Sequence, residues 1–146
     1  MTTATVLQEA EPLDQPVPDI ELMNRFRAAY AAIDAEELRR LLAADFEWRL
    51  DWFEAERPMH TGKILLGVDA MVGELQRRRR LWSQVRFRHI KEKFLPGFVV
   101  QTFVISGVDE ASGPFEVSAV DLYTVNGGLI STKDTYWKRG VAGAPC

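Results

Sequence analysis

The residues VDLYTVNGGLI at positions 120–130 predict a β-hairpin. Asparagine followed by two glycines supplies the positive φ angles that a tight hairpin turn needs. A turn at Gly127-Gly128 would pair Asp121 with Asp134 and set two carboxylates opposite each other. Such a pair is either solvated on an outer face or shares one proton, as general acid/base sites often do. A turn centred one residue earlier would instead pair Asp121 with Thr132.

Strand patterns continue on the amino-terminal side of this hairpin, and helical patterns precede them. Helices first and an antiparallel meander afterwards predict an α+β domain with a curved antiparallel sheet wrapped around three N-terminal helices. The predicted strands are residues 46–50, 85–91, 98–106, 115–125 and 129–138, with a turn at Pro96-Gly97 and a loop at 109–113. The predicted helices run from an Asp19 cap to Ile33, from an Asp34 cap to Asp45, and over 68–78, with a loop at 51–63.

Length and composition favour one globular domain. The 146 residues, 47% of them hydrophobic, predict a single domain at 19–138, with a flexible leader at 1–18 and a tail at 139–146. The net charge of −3 excludes a general affinity for nucleic acid or anionic membranes. The only cysteine is Cys146, so neither a disulfide framework nor a cysteine zinc site is expected. A cytoplasmic protein without metal or cofactor is the resulting expectation.

Four segments resemble those of SnoaL-like and ketosteroid isomerase-like proteins of the nuclear transport factor 2-like superfamily. They are Ala29-Tyr-Ala-Ala-Ile-Asp34, Leu41-Leu-Ala-Ala-Asp-Phe-Glu-Trp48, the hairpin at 120–130, and Asp134-Thr-Tyr-Trp137. The resemblance covers residues 20–138 and implies a cone-shaped, cystatin-like fold with a cavity between the helices and the concave sheet face. It also implies a homodimer joined through the convex face. The superfamily includes isomerases, polyketide cyclases, hydrolases, dehydratases and binding proteins, so function must be argued from pocket residues.

Asp121 is the main chemical candidate. By resemblance it matches a pocket carboxyl of ketosteroid isomerases that donates a hydrogen bond to the developing oxyanion, which places the odd-numbered residues of 115–125 inward. The tyrosine of that oxyanion hole falls on Phe26, and the general base falls near Leu50 with Asp51 one residue off. Steroid isomerisation itself is therefore not expected. In the alternative interpretation, Asp121 lies on the surface of an edge hairpin.

Other polar side chains are candidate partners of Asp121, each with a plainer structural alternative. Tyr30 lies on the buried stripe of the first helix, where it is either an oxygen donor or a core residue. His60 is a proton shuttle at the cavity mouth or an exposed loop residue. His89 alternates with Phe87 towards the apolar side, as a second base or a core residue. The arginine run at 77–80 is expected to be solvated at the end of its helix.

The candidate site therefore has two sets of residues. The catalytic candidates are Asp121, Asp134, His60 and Tyr30, and the substrate-binding candidates are Trp48, Asp51, Trp52, Phe87, His89, Phe103 and Tyr123.

The function predicted from these residues is cofactor-independent acid/base catalysis on a small hydrophobic carbonyl or hydroxyl compound. The reaction would be an isomerisation, a cyclisation or a dehydration. One alternative is a hydrolase that activates water, as epoxide hydrolases do. Another is a non-catalytic ligand-binding or dimerisation module, in which Asp121 would be exposed or salt-bridged to Lys133 and the cone would be filled with side chains.

Overall fold

The computed structural model describes residues 16–50 and 63–138. Within them, the helices are α1 (Pro16–Ala32), α2 (Ala35–Leu41) and α3 (Gly67–Leu81). The strands are β1 (Leu42–Leu50), β2 (Lys63–Leu66), β3 (Trp82–Leu95), β4 (Phe98–Asp109), β5 (Gly113–Asn126) and β6 (Leu129–Lys138). None of the described helices is long and apolar enough to cross a membrane.

The first two helices follow their sequence signals with shifted ends. Helix α1 begins at Pro16, so Asp19 lies in its first turn and the predicted Asp19 cap is wrong. The Asp34 cap is confirmed, because its carboxylate accepts a hydrogen bond of 3.1 Å from the Glu37 backbone N–H. Helix α2 ends at Leu41 instead of continuing to Asp45, and strand β1 begins at the next residue.

The six strands form one curved sheet in the order β2-β1-β6-β5-β4-β3. Strands β3 to β6 are the predicted antiparallel meander. Strand β1 lies parallel to β6, so the sheet is mixed and not wholly antiparallel as predicted. Strand β2 was not predicted at all, although it lies antiparallel to β1 and begins at Lys63, the last residue of the predicted loop. The α+β class is confirmed.

One extra residue in β6 sets the register of the terminal hairpin. Gly127 and Gly128 form the turn, with φ angles of 58° and 78°, and pairing next to the turn is as predicted. A bulge at Ser131 then shifts the ladder by one residue. Asp121 therefore pairs with Thr135, and Asp134 lies on the opposite face of β6. The predicted Asp121–Asp134 pair is wrong for this reason.

Strand β3 bends at two further irregularities, where Gln84 and His89 have positive φ angles of 54° and 55°. The strand changes its inward parity at the second of them, so Ile90 lines the cavity and His89 is exposed. The prediction that His89 faces the apolar side is wrong, because it assumed a regular strand. His89 lines a separate depression with Thr102 and Tyr136.

The main core lies between the helices and the concave face of the sheet. Its largest buried side chains are Trp48, Tyr123, Phe26, Phe46 and Met23. On β5, the odd-numbered residues from Val117 to Val125 are buried and the even-numbered ones are half-buried or exposed, as predicted. The outer face of β5 carries Val120 and Leu122. The homodimer predicted to form through this face stays a prediction.

Two glycines give a matched test of the backbone geometry. Gly128→Ala should lower the free energy of unfolding by about 1–2 kcal/mol, because alanine is disfavoured at positive φ. Gly73→Ala, at an exposed position inside α3, should raise it by about 0.5–1 kcal/mol, because alanine loses less backbone entropy in a helix. An added Cβ meets no atom within 4 Å at either position. Chemical denaturation measures both, and equal effects would contradict the turn geometry.

Candidate functional site

A cavity of about 550 Å³ opens between α1, α3 and the concave sheet face. Eight aromatic side chains of the described residues line it. They are Phe26, Tyr30, Trp48, Trp82, Phe87, Phe103, Tyr123 and Trp137. Val85, Phe87 and Ile90 of β3 also line the cavity while keeping 40–47% of their surface exposed, which gives it an apolar rim. An apolar wall with a few polar groups is typical of small-molecule sites.

The polar centre of this cavity is an ion pair between Asp121 and Lys133. The two residues are 1% and 3% exposed, and Lys133 Nζ donates to Asp121 Oδ2 over 2.6 Å. They belong to neighbouring strands and point to the same face because of the bulge at Ser131. Since burying two charges costs several kcal/mol of hydration, such a pair needs close geometry and further hydrogen bonds.

Thr135 and Trp48 supply those further bonds. The Thr135 hydroxyl donates to Asp121 Oδ1 over 2.6 Å, and the Trp48 indole N–H donates to Thr135 Oγ1 over 2.9 Å. Asp121 thus accepts a hydrogen bond at each oxygen, an arrangement that fits the ionised carboxylate. This geometry suits a base better than the hydrogen-bond donor that the resemblance implied.

Three aromatic rings surround the ammonium group of Lys133. Its Nζ lies 5.3 Å from the ring centre of Tyr30, 5.1 Å from Trp48 and 5.2 Å from Tyr123. Ring faces attract a cation and replace part of its lost hydration. Lys133 is therefore held as a fixed, largely desolvated donor at the cavity wall.

Tyr123 connects this centre to β4. Its hydroxyl donates to Gln101 Oε1 and accepts from Lys133 Nζ, each over 3.3 Å. Burial, and then the charge of Asp121, raise the pKa of Tyr123 well above its usual value. Tyr123 is therefore a neutral phenol near pH 7 and serves as a hydrogen-bonding group, not as a base.

Arg78 of α3 is a second cation in the cavity wall. Its guanidinium carbon lies 4.9 Å from the ring centre of Trp48, 4.8 Å from Trp82 and 5.6 Å from Trp137. Its Nε donates to Glu74 Oε2 over 2.8 Å. The expectation that the arginine run is solvated is wrong for Arg78, because its side chain is only 12% exposed.

Glu74 is a buried carboxylate shared by two arginines. Burial alone would raise its pKa, but the hydrogen bonds from Arg77 and the charge of Arg78 outweigh burial and lower the pKa. Glu74 is therefore ionised near neutral pH, and it holds the Arg78 guanidinium in place through Nε.

The predicted site residues fall into three groups. Asp121, Tyr30, Trp48, Phe87, Phe103 and Tyr123 line the cavity. Asp134 and His89 lie away from it: the Asp134 carboxylate accepts a hydrogen bond from the Tyr136 hydroxyl on the outer face. His60, Asp51 and Trp52 lie outside the described residues.

Lys133, Thr135 and Arg78 were missed as site residues. Lys133 and Thr135 are two residues apart on β6, so they share one face of the strand. The bulge at Ser131 decides that this face points inward, and no residue type in the sequence predicts that bulge. The described residues bring together no group of three metal-binding side chains.

Comparison with solved structures places this architecture. A nuclear transport factor 2-like protein from Burkholderia xenovorans superimposes with a TM-score of 0.72, over 83% of this chain and 89% of that one, at 17% identity. The protein has the nuclear transport factor 2-like fold. Neither a protein-family model nor a curated protein matches the amino-acid sequence.

Two further solved structures share this fold. One is a protein of ketosteroid isomerase-like fold from Catenulispora acidiphila in complex with trimethylamine, with a TM-score of 0.62 and 22% identity over 81% of this chain and 85% of that one. The other is a proposed polyketide cyclase from Xanthomonas campestris, with a TM-score of 0.64 and 19% identity over 83% and 90%. At identities this low, the structural match shows the fold alone.

The buried pair makes a specific stability prediction for this fold. Lys133→Met should lower the free energy of unfolding by about 3–5 kcal/mol, because Asp121 is left buried without its counter-charge. The double variant Lys133→Met/Asp121→Leu should recover most of the loss. Chemical denaturation of the three proteins measures this, with Asp134→Asn as a control that should change stability by less than about 0.5 kcal/mol. A double variant no more stable than the single one would contradict the assignment.

Proposed function

We propose that the protein is a cofactor-independent acid/base enzyme that moves a proton on a small hydrophobic carbonyl or hydroxyl compound. The Asp121–Lys133 pair at the wall of an apolar cavity is the observation that carries this proposal. A base and a cationic donor side by side are the two groups that enolisation requires.

In the proposed reaction, the Asp121 carboxylate removes a proton from the carbon next to a substrate carbonyl. The electron pair of the C–H bond forms the C=C bond of the enolate, the π pair of the carbonyl moves onto its oxygen, and an N–H of Lys133 stabilises the developing negative charge. The proton then returns from Asp121 to the same carbon or to another. Tyr123 and Thr135 hold the two groups in place through their hydrogen bonds.

The buried charges argue for this function over a purely structural role. An apolar pair of similar volume at positions 121 and 133 would avoid the hydration cost, and such replacements are often neutral or stabilising. The non-catalytic alternative predicted the salt bridge between Asp121 and Lys133 that the structure contains. However, that alternative also predicted a cone filled with side chains, and the described part of the chain leaves an open cavity there instead.

The hydrolase alternative now depends on Asp121 alone, because Asp134 faces the other side of the sheet. It predicts incorporation of labelled oxygen from water into the product of an epoxide substrate. The proposed polyketide cyclase among the solved structures of this fold supports the carbonyl chemistry instead.

Hydrogen–deuterium exchange of a bicyclic ketone tests the proposal. The protein should accelerate exchange of the α-protons of 2-tetralone in D2O above the buffer rate, as followed by NMR. Asp121→Asn should reduce the protein-catalysed rate by about 100-fold or more, which is the usual contribution of a general base.

Asp134→Asn is the matched control, because it makes the same chemical change on the neighbouring strand but on the outer face. It should leave the exchange rate unchanged. Near-UV circular dichroism verifies that both variants fold. Exchange at the wild-type rate in a folded Asp121→Asn protein would remove Asp121 from the reaction. Exchange no faster than in buffer with the wild-type protein would favour the binding module.

A further inference from the structure

We infer that the compound bound in this cavity carries a carboxylate, and that Arg78 binds it. The inference rests on the proposed function, since it names the substrate class of the same cavity. Arg78 would provide a second polar contact for the substrate, in addition to Lys133. The expected ligand is an apolar ring compound whose reacting oxygen lies at Lys133 and whose carboxylate lies at Arg78.

The first argument is the balance of charge around the cavity. Among the described residues that line it, Asp121 is the one acidic side chain. Its charge is matched by Lys133. The remaining basic residues of the lining are Arg27, Arg78 and Arg79. Arg27 is paired with Glu92, which leaves α3 as the source of uncompensated positive charge.

The second argument is that a single carboxylate, Glu74, is shared by two guanidinium groups. Arg77 already contacts both of its carboxylate oxygens, over 3.0 Å and 2.8 Å. Arg78 adds a third bond to the same group through Nε. One hydrogen-bonded carboxylate for two guanidinium groups leaves the charge of Arg78 only partly matched at the cavity wall, although Asp109 also attracts Arg77.

The third argument is the unused hydrogen-bonding capacity of Arg78. Nε donates to Glu74, and Nη1 makes only a long bond of 3.4 Å to the Tyr30 hydroxyl. Among the described residues, Nη2 has no hydrogen-bond partner. Two terminal nitrogens of a planar guanidinium match the two oxygens of a carboxylate. Packing on indole rings removes water from the cation and strengthens its attraction for an anion.

The fourth argument is that one small molecule can reach both cations. Trp48 contacts Lys133 and Arg78 with its ring, and Tyr30 contacts Lys133 with its ring and Arg78 with its hydroxyl. The two cations therefore share their aromatic neighbours. A ring compound lying against these two side chains would carry polar groups at both ends.

Calorimetric titration with matched acids and alcohols tests this inference. The probes are benzoate and 2-naphthoate at pH 7, each compared with its primary alcohol, benzyl alcohol and 2-naphthylmethanol. At least one acid should bind about 10- to 100-fold more tightly than its alcohol, the range of one charged hydrogen bond. Arg78→Met should abolish that preference and leave the affinity for the alcohol within about twofold.

Arg80→Met is the control, because it removes the same charge from an exposed position on the same helix end. It should leave both affinities unchanged. If Arg78→Met does not fold, Arg78→Lys serves instead: it keeps the charge, loses the planar fork, and should weaken acid binding selectively. Equal or weaker binding of both acids relative to their alcohols overturns the inference, as does a preference that survives in a folded Arg78 variant.

This outcome is separable from that of the proposed function. The titration measures binding alone and varies Arg78, whereas the exchange experiment uses a neutral ketone and varies Asp121. Loss of the acid preference with Asp121-dependent exchange rejects only the carboxylate site. An acid preference without exchange rejects only the enzyme.

Discussion

The bulge at Ser131 determines the electrostatics of the cavity. In a regular hairpin from the same turn, Asp134 would face Asp121, and two like charges would be buried together. The extra residue turns Asp134 outward and brings Lys133 to the carboxylate. The Ser131 hydroxyl donates to the Thr124 carbonyl on the facing strand, so the irregularity is itself held by a hydrogen bond. The one extra residue, Ser131, thus replaces a repulsive pair of aspartates with the attractive pair of Asp121 and Lys133.

Around that pair, the aromatic wall replaces water as the solvent of the charged groups. Indole and phenol rings surround Lys133, indole rings lie against Arg78, and the Trp48 N–H also orients the hydroxyl that contacts Asp121. The rings that contact a cation therefore have two functions, because they form part of the cavity wall and also stabilise an ion. Fixed groups of this kind need not reorganise when charge develops on a bound molecule, which is the physical basis of electrostatic catalysis.

The sequence predicted local structure well and the composition of the site only in part. The strands of the meander, the Asp34 cap and the inward face of Asp121 follow from spacing, capping chemistry and a resemblance in short segments. Lys133 was named as a partner of Asp121 only in the non-catalytic alternative, and Thr135 was not named, because the bulge at Ser131 reverses the inward parity of β6 and no residue type marks that bulge. The irregularity at His89 reverses the parity of β3 in the same way. Arg78 was missed for another reason: charge at a helix end is usually solvated, and only tertiary packing against indoles removes it from water.

The two irregularities of β3 have a consequence beyond the cavity. Strand β3 is one of the two edge strands of the described sheet, and long edge strands readily recruit strands from other molecules. The kinks at Gln84 and His89 interrupt the straight row of backbone donors and acceptors that such recruitment needs. Exposed Lys91 and Lys93 add repulsion between like-charged edges. The same distortion that aims apolar side chains at the cavity mouth therefore protects the molecule from edge-to-edge aggregation.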